Sequence, residues 1–260
     1  MIFIKSKDND RYKLAKSLLK GKFRNKEKKY LAEGLRTIEL ALQYNASIDC
    51  VFVNEDFSKE ETNKKILESL DRSNTCFVLS NDLFDKISST ENTQGIIAII
   101  NMSKISIDDF DREKHKKIII LDRVQDPGNL GTIIRTADAA GFDMIIMTKG
   151  CVDVYNPKVV RSAMGSMFYM DIVSSDDEDI LKILKENKVE IISSYLNTDN
   201  YFNEIKYSDR SALVVGNEAN GISDFWIDNS DILVKIPMIG KAESLNVAIS
   251  AALLMYQINF

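Results

Sequence analysis

Two α/β domains are what this sequence predicts, and three observations predict them. Short apolar runs alternate with amphipathic helical patterns along the 260 residues. A polar stretch near the middle interrupts that alternation. The run at 118–121 is apolar at every position, which marks a strand buried on both faces of a sheet rather than one lying on a surface.

In order, Leu14, Leu18 and Leu19 sit at helical spacing with lysines on the opposite face, which predicts a helix over 10–20 closed by Gly21. Lys22, Phe23, Arg24 and Lys26 then interleave an aromatic with cations, a pattern suited to tracking a nucleic-acid backbone and stacking on a base; a solvated loop with one anchored Phe explains it equally well. A second helix is expected over 33–44, strands at 50–53, 76–79 and 96–100, and helical segments at 59–70 and 82–87. Residues 101–117 are polar apart from Ile105, Ile107 and Phe110, so we place an α/β domain over 1–104, a linker over 105–116 and a second domain over 117–260. The second series has expected strands at 118–121, 144–147, 190–195, 212–215 and 232–236. Its helices are expected over 130–140, 157–164 and 176–187, near Phe225, and over 244–257. Asn156 followed by Pro157 is a specific helix start, because proline at the first helical position has no N–H to leave unpaired.

Composition narrows the chemistry. No apolar run approaches 18 residues and the first ten residues lack a signal-peptide core, so a cytoplasmic protein is expected. Cys50, Cys76 and Cys151 are odd in number and far apart, which fits reduced thiols and neither a disulfide framework nor a metal site. The single histidine, His115, lies in the polar linker run, so His-based nucleophilic catalysis is not expected. The net charge of −5 conceals an asymmetry: residues 1–36 hold twelve Lys/Arg against four Asp/Glu, a surplus of 8 that leaves −13 for the remainder. A basic end on an acidic body points to a polyanionic partner at that end.

Three loops follow expected buried strands and carry backbone-permissive residues. The first runs from Asp126 through Asn129 and Gly131 to Arg135 and matches neither GxGxxG nor GxxxxGK[ST]. In the second, Gly216 and Gly221 bracket Asn217 and Glu218; the third runs from Ile236 and Met238 through Ser244 and Leu245 to Asn246. In parallel α/β sheets ligands bind beyond the carboxyl ends of the strands, so all three loops are expected to meet on one sheet edge. Taken singly, each has a purely structural reading: Asn129 and Ser244 as helix caps, Arg135 on the surface, Glu218 in an ion pair.

Together these motifs resemble those of a known family. Asn129-x-Gly131-x3-Arg135-x-Ala137, Gly216-Asn217-Glu218-x2-Gly221, and Ile236-Pro237-Met238 followed by Ser244-Leu245-Asn246-Val247-Ala248 resemble, in order and spacing, the SpoU (TrmH-like) RNA ribose 2′-O-methyltransferases of the SPOUT class. That resemblance covers 117–260. The first hundred residues are similar, more loosely, to the substrate-binding domain that precedes the catalytic domain in ribosomal-RNA members, with Glu33-Gly34-x-Arg36 matching an E-G-x-R element.

The resemblance implies a mostly parallel sheet with helices on both faces, a C-terminal trefoil knot, and S-adenosyl-L-methionine as cofactor. The cofactor would be held at Gly216, Ile236 and Leu245, with Asn217, Gly221, Met238 and Tyr195 beside them. Arg135 is the implied catalytic residue, with Asn129, Glu218, Ser244 and Asn246 orienting it and the ribose. A guanidinium is a reluctant base, so we expect Arg135 to stabilise the developing alkoxide while the proton leaves through phosphate or water. RNA contacts are expected at Lys22, Arg24, Lys26, Arg36 and Arg161, and no metal is expected. The last helix is apolar nearly all round, which with the family habit points to a homodimer that often completes the active site at its interface. Ribosomal RNA is favoured over transfer RNA because of the extra N-terminal domain. Against these stand a non-catalytic RNA binder on the same scaffold, which needs none of Arg135, Asn129, Glu218 and Asn246, and a dinucleotide-dependent oxidoreductase, which needs a glycine fingerprint that is absent.

Overall fold

The computed structural model describes residues 1–73, 75–90 and 92–260. The chain forms two compact units, Met1–Ser103 with Asp153–Phe168, and Lys104–Val152 with Tyr169–Phe260.

The first unit runs β1 (Ile2–Ile4), α1 (Asp10–Leu18), α2 (Gly21–Glu27), β2 (Lys29–Glu33), α3 (Leu35–Gln43), β3 (Ile48–Asn54), α4 (Glu55–Lys59), α5 (Lys64–Ser73), β4 (Thr75–Leu79), α6 (Asn81–Asp85) and β5 (Ile96–Asn101). Its sheet order is β1-β4-β3-β5-β2, with β5 antiparallel to β2 and β3 and the other pairs parallel. Cys50, Val51, Phe52 and Val53 are all buried, so β3 is covered on both faces. Asn9 caps α1, its side chain accepting from the Arg11 and Tyr12 N–H groups, and the stripe Tyr12, Ala15, Leu18 faces the core. Leu14 and Leu19 are only partly buried. Gly21 opens α2 instead of closing α1, so the expected basic loop is a short helix.

The second unit begins with β6 (Lys117–Leu121), α7 (Pro127–Ala139) and β7 (Met144–Met147). The chain then crosses to the first unit as α8 (Pro157–Ser162), which packs on β2, and returns as β8 (Asp171–Ser174), α9 (Asp177–Glu186), β9 (Glu190–Ser194), β10 (Ser211–Val215), α10 (Asp224–Asn229), β11 (Ile232–Val234) and α11 (Val247–Asn259). Tyr155, Val160, Met167 and Phe168 join the core of the first unit, a placement the polar boundary at 105–116 does not anticipate. All pairings in this sheet are parallel, in the order β11-β9-β10-β6-β7-β8. From β6 the chain winds one way through β7 to β8, and from β10 it leaves the other way to β11, so the carboxyl ends of the neighbouring strands β6 and β10 form a switch point. Ile118, Ile120, Val214 and Trp226 lie in one core layer with Ile180 and Leu184 of α9, and each such side chain contributes about 1.5–3 kcal/mol when fully buried. On the other face α7 and α11 run side by side.

Residues 105–116 are not a linker. Ile105, Ile107 and Phe110 pack against the second unit's core, and His115 is 1% exposed. His115 accepts from the Asp111 N–H at Nδ1 (3.0 Å), meets Asp171 at Nε2 (3.0 Å) and lies beside the Phe110 ring, while Lys114 also pairs with Asp171. The polar run is the solvent side of a covering segment. No described helix is long and apolar enough to cross a membrane.

Candidate active site

The site is built at the carboxyl ends of β6, β9, β10 and β11. Asp122, the first residue past β6, donates its backbone N–H to the Val215 carbonyl (2.9 Å), so the loops leaving β6 and β10 start side by side. After Val215 the chain folds back on itself: Asn217 and Gly221 exchange two backbone hydrogen bonds of 2.9 Å each. The turn is tight enough to require glycine at its base. A Cβ on Gly216 would lie 2.1 Å from the Gly221 carbonyl carbon and 2.2 Å from the Ile222 nitrogen, backbone atoms that cannot rotate away. Gly221 closes the turn at φ +67°, in the left-handed region. The Asn217 side chain holds the interior, its Oδ1 accepting from the Ala219 and Asn220 N–H groups (2.9 and 3.1 Å) and its Nδ2 donating to the Arg123 carbonyl (2.9 Å).

Against this loop lies a cavity of about 630 Å³. Gly216, Asn217 and Gly221 form one wall, Ile236 and Met238 a second, and Leu245 and Tyr195 close it. All seven residues expected to hold the cofactor therefore line one cavity, and Glu218, Ser244 and Asn246 line it as well. Its size is within the range of about 300–1,000 Å³ usual for small-molecule sites. Apolar Ile236, Met238 and Leu245 facing a glycine turn suit a nucleoside with a polar tail, the flat ring against aliphatic side chains and the polar groups against exposed backbone. The residues present fit S-adenosylmethionine.

A chain of side-chain hydrogen bonds ties three loops together. Glu218 Oε1 accepts from Asn129 Nδ2 (3.0 Å) and from the Asp126 N–H (3.3 Å), and Oε2 accepts from the Gln125 N–H (3.4 Å). Asn129 Oδ1 in turn accepts from Asn246 Nδ2 (3.0 Å). Burial alone would raise the Glu218 carboxyl, but these donors hold it below the ordinary glutamate value. Neither Asn129 nor Ser244 is the helix cap that a purely structural reading of the sequence allowed. Asp126 caps α7, accepting from the Asn129 N–H (2.8 Å) ahead of Pro127, and Asn246 caps α11, accepting from Ala248 N–H (2.9 Å) and Ile249 N–H (3.4 Å). Ser244 lies in the exposed loop before the cap. With Asn129 bridged to Asn246 at one end and Asn259 Nδ2 donating to the Ala140 carbonyl (2.7 Å) at the other, α7 and α11 are parallel and pinned at both ends.

Arg135 is not brought to this cavity within one chain. It is exposed on α7, about 9 Å along the axis from Asn129 and well round the helix from it. Among the expected RNA contacts, Lys22, Lys26, Arg36 and Arg161 are exposed. Arg24 is not available to RNA: it is 3% exposed, its Nε and Nη2 donate to Asp153 Oδ2 (2.9 and 2.6 Å), and its Nη1 donates to the Leu18 and Leu19 carbonyls. It locks the end of α1 to the segment that precedes α8. Cys50, Cys76 and Cys151 are free thiols; burial pushes Cys50 up to about 12 and Cys151 up to about 11.

Sequence reasoning missed the pair that fastens the glycine loop. Asp122 is 1% exposed and accepts from the Ser223 N–H (2.6 Å), Arg123 Nε (2.8 Å) and Thr148 Oγ1 (3.4 Å). Arg123, at φ +58°, receives Asn217 on its carbonyl and reaches the Gly221 carbonyl with Nη2 (3.4 Å). The signal was an acidic residue directly after a wholly buried strand, where an unpaired carboxylate is not tolerated.

Comparison with known proteins now decides the family. The model of the SpoU rRNA Methylase family matches residues 116–256, and that of the MRM3-like substrate binding domain matches residues 9–98. The chain belongs to the SpoU rRNA methylase family. Among its relatives, the 23S rRNA (guanosine(2553)-2′-O)-methyltransferase RlmP of Bacillus subtilis is 36% identical, over 98% of each chain. The crystal structure of an AdoMet-bound rRNA methyltransferase from Sinorhizobium meliloti superposes with a TM-score of 0.88 at 28% identity, covering 98% of this chain and 96% of that one. The SpoU methyltransferase AviRb from Streptomyces viridochromogenes, also in complex with AdoMet, gives 0.87 at 25% identity, covering 96% and 97%. A SpoU methylase with a preceding substrate-binding domain is thus the organisation of this chain, and S-adenosylmethionine is its cofactor.

Proposed function

We infer that this chain methylates a ribose 2′-hydroxyl of ribosomal RNA with S-adenosylmethionine as donor. The observation that supports this best is the cavity beside Gly216, lined by residues of two family motifs, in the loops after β10 and β11, with Asn129 of the third motif hydrogen-bonded to Glu218 and Asn246 of that lining. When bound, S-adenosylmethionine supplies a methyl group activated by its sulfonium. Gly216, Asn217 and Gly221 offer it backbone groups at close range, while Ile236, Met238, Leu245 and Tyr195 exclude water from it. Glu218, Asn129 and Asn246 fix the mouth of the cavity, since each is held by the next. Ser244 has an exposed hydroxyl free to orient the ribose.

Arg135 stabilises the oxygen of the attacking ribose as its proton passes to phosphate or water, because a guanidinium holds its own protons too tightly to act as base. It does so in the cavity of a second copy. Ile249, Leu253 and Tyr256 on α11 and Phe260 at its C-cap are exposed at spacings of four, three and four, an apolar stripe on the helix that packs beside the one carrying Arg135. A homodimer that buries this stripe brings two-fold related copies of Arg135 and the cavity together. We read the chain from Ile236 onward as the knotted segment of the family, on the strength of the two loops, after β9 and β10, with which it shares the cavity. Lys22, Lys26, Arg36 and Arg161 meet the RNA backbone, and the enzyme works in the cytoplasm.

Ribose-methylation mapping of total RNA tests this reading. A strain lacking the gene should miss one 2′-O-methyl group in ribosomal RNA, restored by the wild-type chain and not by Arg135→Ala. Restoration by Arg135→Ala refutes the role given to the arginine, and an unchanged map refutes the function.

A further inference from the structure

Away from the methyl-donor cavity, the first unit carries a second cavity of about 490 Å³ between α1, α2 and the chain that leads into α1. Its wall is formed by Leu19, Tyr12 and the half-buried Phe23, and Lys7, Lys16 and Lys20 stand exposed around it. Lys13 lies there too, paired with Asp8 at 3.5 Å. Tyr12 is 1% exposed, yet its hydroxyl has no hydrogen-bond partner. A buried hydroxyl without a partner is costly and uncommon, and that of Tyr12, a residue lining the cavity, gains its partner when a ligand seats deeply enough to reach it. Burial pushes the phenol pKa up, so at neutral pH it keeps its proton and can donate.

We propose that this cavity binds one unstacked nucleotide of the RNA substrate, the base against Phe23 and Leu19 with a polar edge on the Tyr12 hydroxyl, and the flanking phosphates on Lys7, Lys16 and Lys20. Three features select that occupant. The cavity has room for a nucleoside rather than a duplex groove. An aromatic wall with surrounding lysines matches the way single-stranded RNA is held, by base stacking together with backbone neutralisation. The surplus charge of the first 36 residues, +8, complements a polyanion and nothing apolar. The proposal rests on the RNA-methyltransferase reading for the identity of its ligand, and it makes the first unit a reader of a base instead of a uniform cationic surface.

The test measures binding of full-length protein to fluorescent eight-nucleotide RNA homopolymers of each base and to an abasic ribose-phosphate octamer. At least one homopolymer should bind more tightly than the abasic chain. Tyr12→Phe, which keeps the ring and its packing, should weaken that homopolymer about three- to tenfold and leave the abasic chain unaffected. Phe23→Ala should act in the same direction, whereas Lys16→Glu with Lys20→Glu should weaken both probes and flatten the salt dependence. Equal binding of homopolymers and abasic chain, or unchanged binding by both Tyr12→Phe and Phe23→Ala, overturns the base pocket. Methyl transfer to ribosomal RNA by the same wild-type preparation separates the two readings. Transfer with no base dependence at the cavity refutes only the pocket, and base-dependent binding without transfer refutes the enzymatic reading while upholding the pocket.

Discussion

Replacing Gly216 by alanine probes the donor cavity at its narrowest point. The added Cβ would stand 2.1 Å from the Gly221 carbonyl carbon, 2.2 Å from the Ile222 nitrogen and 2.4 Å from the Gly221 oxygen, where ordinary contact begins at 3.4 Å. The turn must therefore retreat by more than an ångström, and the two 2.9 Å hydrogen bonds between Asn217 and Gly221 are the first to give way. Overpacking of this kind costs about 1–3 kcal/mol. Because the displaced atoms are the cavity wall, we expect the cost to fall on donor binding, with S-adenosylmethionine bound about ten- to a hundredfold more weakly by calorimetry. Gly240→Ala is the matched control: a Cβ there meets nothing within 4 Å, and affinity should stay within twofold, as surface substitutions change energies by about 0.5 kcal/mol or less. Wild-type affinity in a folded Gly216→Ala protein refutes the placement of the donor.

The remaining predictions concern the hydrogen-bond chain and the second copy. Asn129→Ala and Asn246→Ala should be non-additive in thermal unfolding, with a coupling of about 0.5–1.5 kcal/mol; strict additivity means that the 3.0 Å bridge carries nothing. Asn246→Ser keeps a capping oxygen and loses the bridge, so it should recover stability relative to Asn246→Ala without recovering methyl transfer. Glu218 has a depressed carboxyl pKa, so its stabilising contribution is full above the ordinary value near 4.5 and is lost as pH falls through the lower folded value. Donor affinity should be flat through neutral pH and fall in acid for the wild type, whereas Glu218→Gln should be weaker at pH 7 and lack that acid-side loss. Mixing inactive Arg135→Ala with inactive Gly216→Val should restore up to about a quarter of wild-type activity, since half the dimers are mixed and each has one intact site. No recovery after verified subunit exchange refutes an arginine supplied across the interface.

Much of the second half of the chain was legible because its signals are local. The apolar runs that form β6 and β10, the Asn156-Pro157 start of α8 and the loops after β6, β10 and β11 follow from residue type and spacing. What sequence could not show depends on partners distant in the chain. Arg24 reads as a surface cation until Asp153 is placed beside it, 129 residues away. His115 reads as linker until Asp171 and Phe110 enclose it. β2 and β8 are short and flanked by charge, and their pairing energy comes from neighbours the local pattern does not contain. Gly21 looked like a stop because glycine ends many helices, yet here it begins one. In the site itself residue types were readable and their division of labour was not: Asp126 took the cap that Asn129 seemed to offer, which frees the Asn129 amide to join Glu218 to Asn246.

Alkaline hydrolysis of ribosomal RNA labelled by the purified protein with methyl-tritiated S-adenosylmethionine reports the modified atom directly, because cleavage needs a free 2′-hydroxyl on the adjacent ribose. The account predicts label in alkali-resistant dinucleotides, with none transferred by Arg135→Ala. Label released in mononucleotides, as from a methylated base, would contradict it.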